Sequence, residues 1–433
     1  MEALSAITQR GEKRVSFWQA PIAWLRQKNL SRDYWTFFAS AFFYDAGFAV
    51  YFFLFNLYLM DRRFSDRIIG LIGGSFTLGS LVGTLPAGML VHKIGLRKMM
   101  LALFLAAPFA NAARVLWIWE PAQMALAFAT GIVMSAWGVC FLPAVARLTA
   151  EENRPVAFSL IFSTSVGTSM LGGIVCGYLR RWVEAVGIAI SAVQAKEWIL
   201  LTACAIVPLG LFAVWHLHFP ADVRLEIEVE RTQLSNWKLN PFLRRYLPVM
   251  ALWCAVLAAF TPFANLYLSR DLHMPIEQIG LLFSSVQLVQ LSMGLLVPVV
   301  SRLLGLVNGI AAMQASAAVV LFCLAGTTNA RLAVPLYLVF SAAQWMSSPA
   351  LYNLLMNKTP DAERSAAAAM TLFSNALAGS AATAGAGILF TRFGYPSVLI
   401  GIAFAALAIS LLFLFLMRSS SQGVIHAKSS GTR

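Results

Sequence analysis

The chain has 433 residues, of which 59% are hydrophobic and 12% charged, with a formal charge of +13. A soluble domain carries about 25% charged residues, so this surface is built for lipid, not water. Of the 32 Lys and Arg residues, 22 lie in alternate loops and the two tails, and no RNA-binding or helix-turn-helix pattern occurs, which argues against nucleic acid as a partner.

In lipid the backbone must satisfy its own hydrogen bonds, which leaves helices or a closed barrel. The apolar runs are continuous rather than alternating, so helices are predicted. Residues 1–33 read as a basic cytoplasmic segment without a cleavable signal. A first bundle, 34–217, holds spans at 34–60, 68–91, 98–119, 122–148, 155–179 and 197–217. Residues 218–245 change composition abruptly, with Arg224, Glu226, Glu228, Glu230, Arg231, Lys238, Arg244 and Arg245, and read as a cytoplasmic linker. A second bundle, 246–417, holds spans at 246–268, 276–300, 306–328, 332–356, 365–390 and 397–417. Residues 418–433, rich in Ser, read as a disordered cytoplasmic tail. The predicted class is an all-α integral membrane protein of twelve transmembrane helices in two six-helix bundles. The charge asymmetry places both termini in the cytoplasm. The compact loops fit a bacterial cytoplasmic (inner) membrane, and one chain with both bundles suffices as a monomer.

The bundles are related. Asn56-Leu57-Tyr58-Leu59 with Ile69-Gly70-Leu71 recurs as Asn265-Leu266-Tyr267-Leu268 with Ile279-Gly280-Leu281. The loop 149–154, ending in Arg154, recurs as 359–364, ending in Arg364. Both copies keep one membrane orientation, so the halves are parallel repeats about an axis along the membrane normal. Such halves point to a carrier that rocks about a central site.

Between the second and third spans stands Gly88-Met89-Leu90-Val91-His92-Lys93-Ile94-Gly95-Leu96-Arg97-Lys98. Gly88, Lys93, Gly95, Arg97 and Lys98 fit the cytoplasmic loop signature of the major facilitator superfamily, which the chain resembles over about 34–417. The resemblance implies a cytoplasmic gate built from this loop and the Arg154 and Arg364 loops. His92 departs from it, standing where the family usually has Asp. A neutral imidazole cannot face a helix N-terminus as a carboxylate does. His92 is either a pH-sensitive latch or a solvated loop residue. The second-half counterpart, 300–305, keeps only Arg302 and Gly305. Signatures of the drug/proton antiporter branch are missing from the fourth and fifth spans.

Asp45 is the one acid in the interior of a span, flanked by Phe42, Phe43, Tyr44 and Phe48. A carboxylate at that depth is costly toward lipid, so it should face a cavity or carry a proton. Helical spacing puts Asp45, Phe48, Phe52 and Asn56 on one face. Asp45 therefore reads as a proton-coupling or solute-binding residue, or as a hydrogen-bonded acid that fixes packing. Further candidates for the cavity are Trp137, Asn265, Gln287, Gln290, Trp345 and Asn375. Arg114, the one basic residue inside a span, precedes Trp117 and Trp119 and is expected to snorkel to the headgroups.

The five cysteines lie in apolar spans without metal-ligand spacing, so no metal or cofactor is expected. The chain has no HExxH, GxSxG or phosphate-binding loop, which excludes common hydrolases and an ATP-driven pump. The expected function is secondary active transport of a small organic solute by alternating access, coupled to protons through Asp45. The alternatives are an uncoupled facilitator of the same fold and a non-transporting membrane sensor.

Overall fold

The computed structural model describes residues 30–150, 153–185, 191–219, 240–294, 296–360 and 364–429. The first half consists of α1 (Arg32–Asp61), α2 (Asp66–Ile94), α3 (Leu96–Leu116), α4 (Glu120–Leu148), α5 (Arg154–Ala185) and α6 (Ala192–His216). The second half consists of α7 (Pro241–Arg270), α8 (Ile276–Gly294, continued as Val297–Leu304), α9 (Leu306–Ala325) and α10 (Ala330–Lys358). A last stretch, Arg364–Ser429, turns at Gly394, which divides it into α11 and α12. Among the described residues nine helical stretches are long and apolar enough to cross a membrane, and one of them, Ala367–Arg418, holds both α11 and α12. The protein is an all-helical membrane protein of twelve helices.

Local chemistry sets the helix ends. Ser31 caps α1 by accepting the Tyr34 N–H at 3.1 Å, and Ser191 opens α6 with a capping box to Gln194. Gly95 (φ 84°) and Gly305 (φ 78°) make the α2–α3 and α8–α9 turns, where an L side chain would be strained. Two boundaries differ from the sequence reading. Asn240 caps α7 from Pro241, so Arg244 and Arg245 belong to a helix and not to the linker. The last helix runs through Ser429, past the predicted end of the span at 417. Residues 1–29 and 220–239, read as the N-terminal segment and most of the linker, lie outside the described residues.

Each half is braced internally by tyrosine. Tyr58 Oη on α1 donates to the Val115 carbonyl on α3 at 2.9 Å, and Tyr267 Oη on α7 donates to the Leu324 carbonyl on α9 at 3.2 Å. These are the tyrosines of the repeated Asn-Leu-Tyr-Leu segment. Proline breaks two helices into 3-10 turns, Val207–Leu209 in α6 and Thr261–Phe263 in α7. The Ala258 carbonyl, which loses its helical partner to Pro262, accepts instead from Thr383 Oγ1 at 3.0 Å.

Between the halves, α2 packs on α11 and α5 on α8. Glycine allows both crossings. A Cβ on Gly70 would lie 2.7 Å from the Thr383 carbonyl oxygen, and one on Gly173 would lie 2.7 Å from the Gly280 carbonyl oxygen. Small residues let the backbones approach this closely, which is what holds helices together in lipid.

Candidate functional site

The halves are joined at one end. Asn56 Nδ2 donates to the Pro262 carbonyl at 2.8 Å, and Asn265 Nδ2 donates to the Phe53 carbonyl at 3.1 Å. Asn265 Oδ1 meanwhile takes the Leu266 N–H at 2.9 Å. Ser284 Oγ on α8 donates to the Met170 carbonyl on α5 at 2.6 Å, and Ser380 Oγ on α11 donates to the Gly74 carbonyl on α2 at 2.7 Å. At the rim Arg270 Nη1 lies 2.9 Å from both oxygens of Asp66, and the Arg67 N–H reaches Thr391 Oγ1 at 2.9 Å. Asp66 is buried at the first turn of α2, where a negative charge is favourable. A pocket of about 260 Å³ lies beside the ion pair, lined by Ser65, Asp66, Arg270, Asp271, Thr391 and Tyr395. Burial holds the Asp271 carboxyl above its ordinary range; the Asp66 charge adds to this, while Arg270 and His273 oppose it.

Toward the other end the halves part. Residues about three helical turns along from the contact positions Gly74, Gly173, Gly280 and Ala384 lie on the same helix faces but are exposed: Leu85 (75%), Phe162 (56%), Leu291 (53%) and Phe373 (55%). The hydrogen bonds named above between the halves all lie toward the closed end. The result is a gap with apolar walls, open at the end that carries the Gly95 and Gly305 turns.

Asp45 faces this gap. It shares a face of α1 with Asn56, which reaches the other half, and with Phe52, which is 45% exposed. Ser165 Oγ of α5 donates to Asp45 Oδ2. On the opposite wall Cys254 Sγ of α7 lies 3.4 Å from the Asn375 carbonyl of α11. Asp45 thus accepts from a hydroxyl, with no ion-pair partner among the described residues, so it can hold a proton or a hydrogen-bonding solute. Among the described residues no three His, Cys, Asp or Glu side chains gather closely enough to hold a metal ion.

The other sequence candidates divide. Phe48, expected beside Asp45, turns into the first half and packs edge-on against Tyr44 (4.7 Å) and Tyr51 (6.5 Å). Three residues along a helix leave it about 60° off the Asp45 direction, enough to move it from wall to core. Trp137 also belongs to that aromatic core, stacked on Tyr44 at 4.2 Å. Gln290 Nε2 reaches the Ser341 carbonyl at 3.5 Å, Gln287 is half-buried, and Trp345 is exposed on α10. Asn375 Oδ1 is buried without a hydrogen-bond partner. Arg114 does not snorkel: it is buried, with its guanidinium over the ring of Phe55 at 4.3 Å. The sequence reading passed over Ser165, Cys254 and the Asp66–Arg270 pair; the register of the repeat would have matched Cys254 with Asp45.

The gate candidates sit at the open end. Gly88 lies on α2 with free space where a Cβ would be, and Lys93 and Lys98 are exposed. Arg97 Nη2 donates to the Trp215 carbonyl, which ties α3 to α6 within one half. Arg154 opens α5. The side chains of His92 and Arg364 lie outside the described residues.

The fold has solved counterparts. The nucleoside transporter NupG superposes with a TM-score of 0.71 at 12% identity, covering 89% of this chain and 99% of that one. The xylose transporter XylE from E. coli, in an inward open conformation, gives 0.66 at 13% identity over 87% and 94%. A bacterial homologue of the human lysosomal transporter Spinster, inward-facing and unoccupied, gives 0.70 at 11% identity over 90% and 98%. Identities this low carry the fold alone. No curated relative matches the chain by sequence. The family model of the Major Facilitator Superfamily matches residues 37–383, most of the chain. The chain therefore belongs to the Major Facilitator Superfamily of membrane transporters.

Proposed function

We propose that this secondary transporter moves a small organic solute across the cytoplasmic membrane by alternating access, with Asp45 carrying a coupled proton. The observation that carries the reading is the position of Asp45: a carboxylate on the wall of the gap, hydrogen-bonded by Ser165 and without a basic partner among the described residues. A charge there is costly unless it is wetted or neutralised, so opening and closing the gap alters its proton affinity. The excess of Lys and Arg in the loops of the open end and in the tails supports a cytoplasmic placement of both, on which this form is inward-facing. The loop 88–98 and the Arg154 and Arg364 loops then close the cytoplasmic end in the opposite state. Phe52, Gln287, Gln290, Trp345 and Asn375 are the remaining residues assigned to the solute path. Solved transporters of the same fold named for nucleosides and xylose give the size class of cargo expected.

A thermal-shift screen of the purified protein against a solute library, at two pH values, identifies a stabilising solute. In proteoliposomes loaded against a gradient of one pH unit, one proton per solute supports up to about tenfold accumulation. Asp45→Asn should abolish that accumulation and retain solute exchange. Accumulation that survives the substitution removes Asp45 as the coupling residue. Equilibration without accumulation in the wild type identifies an uncoupled facilitator, and binding without flux a sensor.

A further inference from the structure

Arg114 is a buried charge that the Asp45 mechanism does not use. It sits near the closed end of α3 and is 3% exposed. Its guanidinium carbon lies 4.3 Å from the ring centroid of Phe55 and 5.9 Å from that of Phe76. No carboxylate among the described residues pairs with it, and its Nε has no hydrogen-bond partner. Three of its neighbours direct their donors elsewhere. Tyr51 Oη donates to the Asn111 carbonyl at 3.1 Å, Asn111 Nδ2 to the Ala107 carbonyl at 2.8 Å, and Gln123 Nε2 to the carbonyl of Arg114 itself at 2.5 Å. The side-chain oxygens of Asn111 and Gln123 are buried there without partners as well. A guanidinium has five N–H donors and stays charged in proteins. Ring faces attract it, but they replace only part of its lost hydration, and a buried cation is sustained by an anion that accepts its N–H groups.

A chain of aromatic contacts leads from this cation toward the gap. Phe76 meets Phe52 edge-on at 5.7 Å, and Phe52 lies on the gap wall. We propose that Arg114 binds the carboxylate of the transported solute, a small organic acid with an apolar or aromatic body. The planar guanidinium fork matches a carboxylate, and the rings of Phe52, Phe55 and Phe76 suit the body attached to it. Phe52 and Phe76 turn aside to admit it. This assignment rests on the gap being the solute path. It places the anion end of the solute toward the closed end and leaves Asp45, nearer the open end, free to exchange its proton.

The test uses the full-length protein in detergent, with benzoate as the probe, benzamide as its neutral counterpart and phosphatidylglycerol as the lipid anion. Benzoate should raise the melting temperature of the wild type by several degrees, and benzamide should not. Arg114→Met should melt at or above the wild-type temperature, because it removes an unpaired buried charge, and should lose the benzoate shift. Arg114→Lys should keep a smaller shift, and Asp45→Asn should keep it in full. The assignment is overturned if benzamide matches benzoate, if benzoate shifts Arg114→Met as it does the wild type, or if only phosphatidylglycerol stabilises. It is also overturned if Arg114→Met melts well below wild type and benzoate has no effect on either, the result for a purely structural arginine. A benzoate shift that depends on Arg114 without flux in liposomes keeps this site and removes the transport reading. Proton-driven flux of another solute without a benzoate shift does the reverse.

Discussion

Cys254 stands in the second half where Asp45 stands in the first. Each lies about three turns from the asparagine that reaches across to the other half, Asn265 and Asn56 respectively. Each also contacts the fifth helix of its own half, Asp45 through Ser165 and Cys254 through the Asn375 carbonyl. The two walls of the gap follow one plan, yet one presents an acid and the other a thiol.

The first prediction concerns that thiol. Cys254 is half-buried on the gap wall, whereas Cys140, Cys176 and Cys204 are buried in the bundles. In a Cys323→Ser background, a charged methanethiosulfonate reagent added from the open side should modify Cys254 at least tenfold faster than the other three. Mass spectrometry of the labelled peptides reads this directly. Equal labelling of all four would show that the gap does not reach α7.

The asparagine clasp sets the balance between the two open forms. Each Asn-to-carbonyl bond is worth about 0.6–1 kcal/mol in a membrane setting. Asn56→Ala or Asn265→Ala should therefore lower the closed-to-open ratio at that end by up to about fivefold. Spin labels at Arg63→Cys and Arg392→Cys, both exposed at the rim, should show a longer-distance population growing in either variant. Unchanged distances in both would mean the helix crossings alone hold this end shut.

The crossing of α5 and α8 has no room for a side chain. A Cβ on Gly280 overlaps the Gly173 carbonyl oxygen. Gly280→Leu should hold the halves apart at this end, with overpacking of about 1–3 kcal/mol or more. Transport should fall more than tenfold while the variant still inserts and purifies, as read by flux and by size-exclusion profile. Wild-type flux in this variant would contradict the crossing.

The rim should respond to pH through Asp271. Its carboxyl, held up by burial and by Asp66, binds protons more tightly in the closed form than when opening wets it. Acidification through the carboxylate range therefore favours the closed rim, and raising the pH removes that contribution. The same pair of spin labels should report more of the closed distance at lower pH, and Asp271→Asn should flatten the response. A closed fraction that rises with pH would reverse the sign and exclude this group.

The repeated segment was legible as a repeat, and its residues turn out to have separate tasks. Asn56 and Asn265 join the halves, Tyr58 and Tyr267 brace each half, and Gly70 and Gly280 sit where helices cross. Spacing revealed that these positions recur, not which neighbour each would meet. The same limit explains the errors. Phe48 and Asp45 read as one face because three residues nearly complete a turn, and packing against Tyr44 decided otherwise. Arg114, beside tryptophans at a span end, carries the pattern of a headgroup anchor. The ring of Phe55, far away in sequence, is what draws it inward. The Asp66–Arg270 pair was passed over because its two members lie in different halves.

The proline break in α7 makes counterpart helices of the two halves unequal. α1 runs unbroken past Phe53, while α7 is interrupted at Thr261–Phe263, ahead of the short tip Ala264–Arg270. That tip is buried over Ala264–Leu268 and is tied by Asn265 to the Phe53 carbonyl and by Tyr267 to the Leu324 carbonyl. A bend at Thr261–Phe263 therefore lets the body of α7 change its tilt while the tip keeps its grip on both halves.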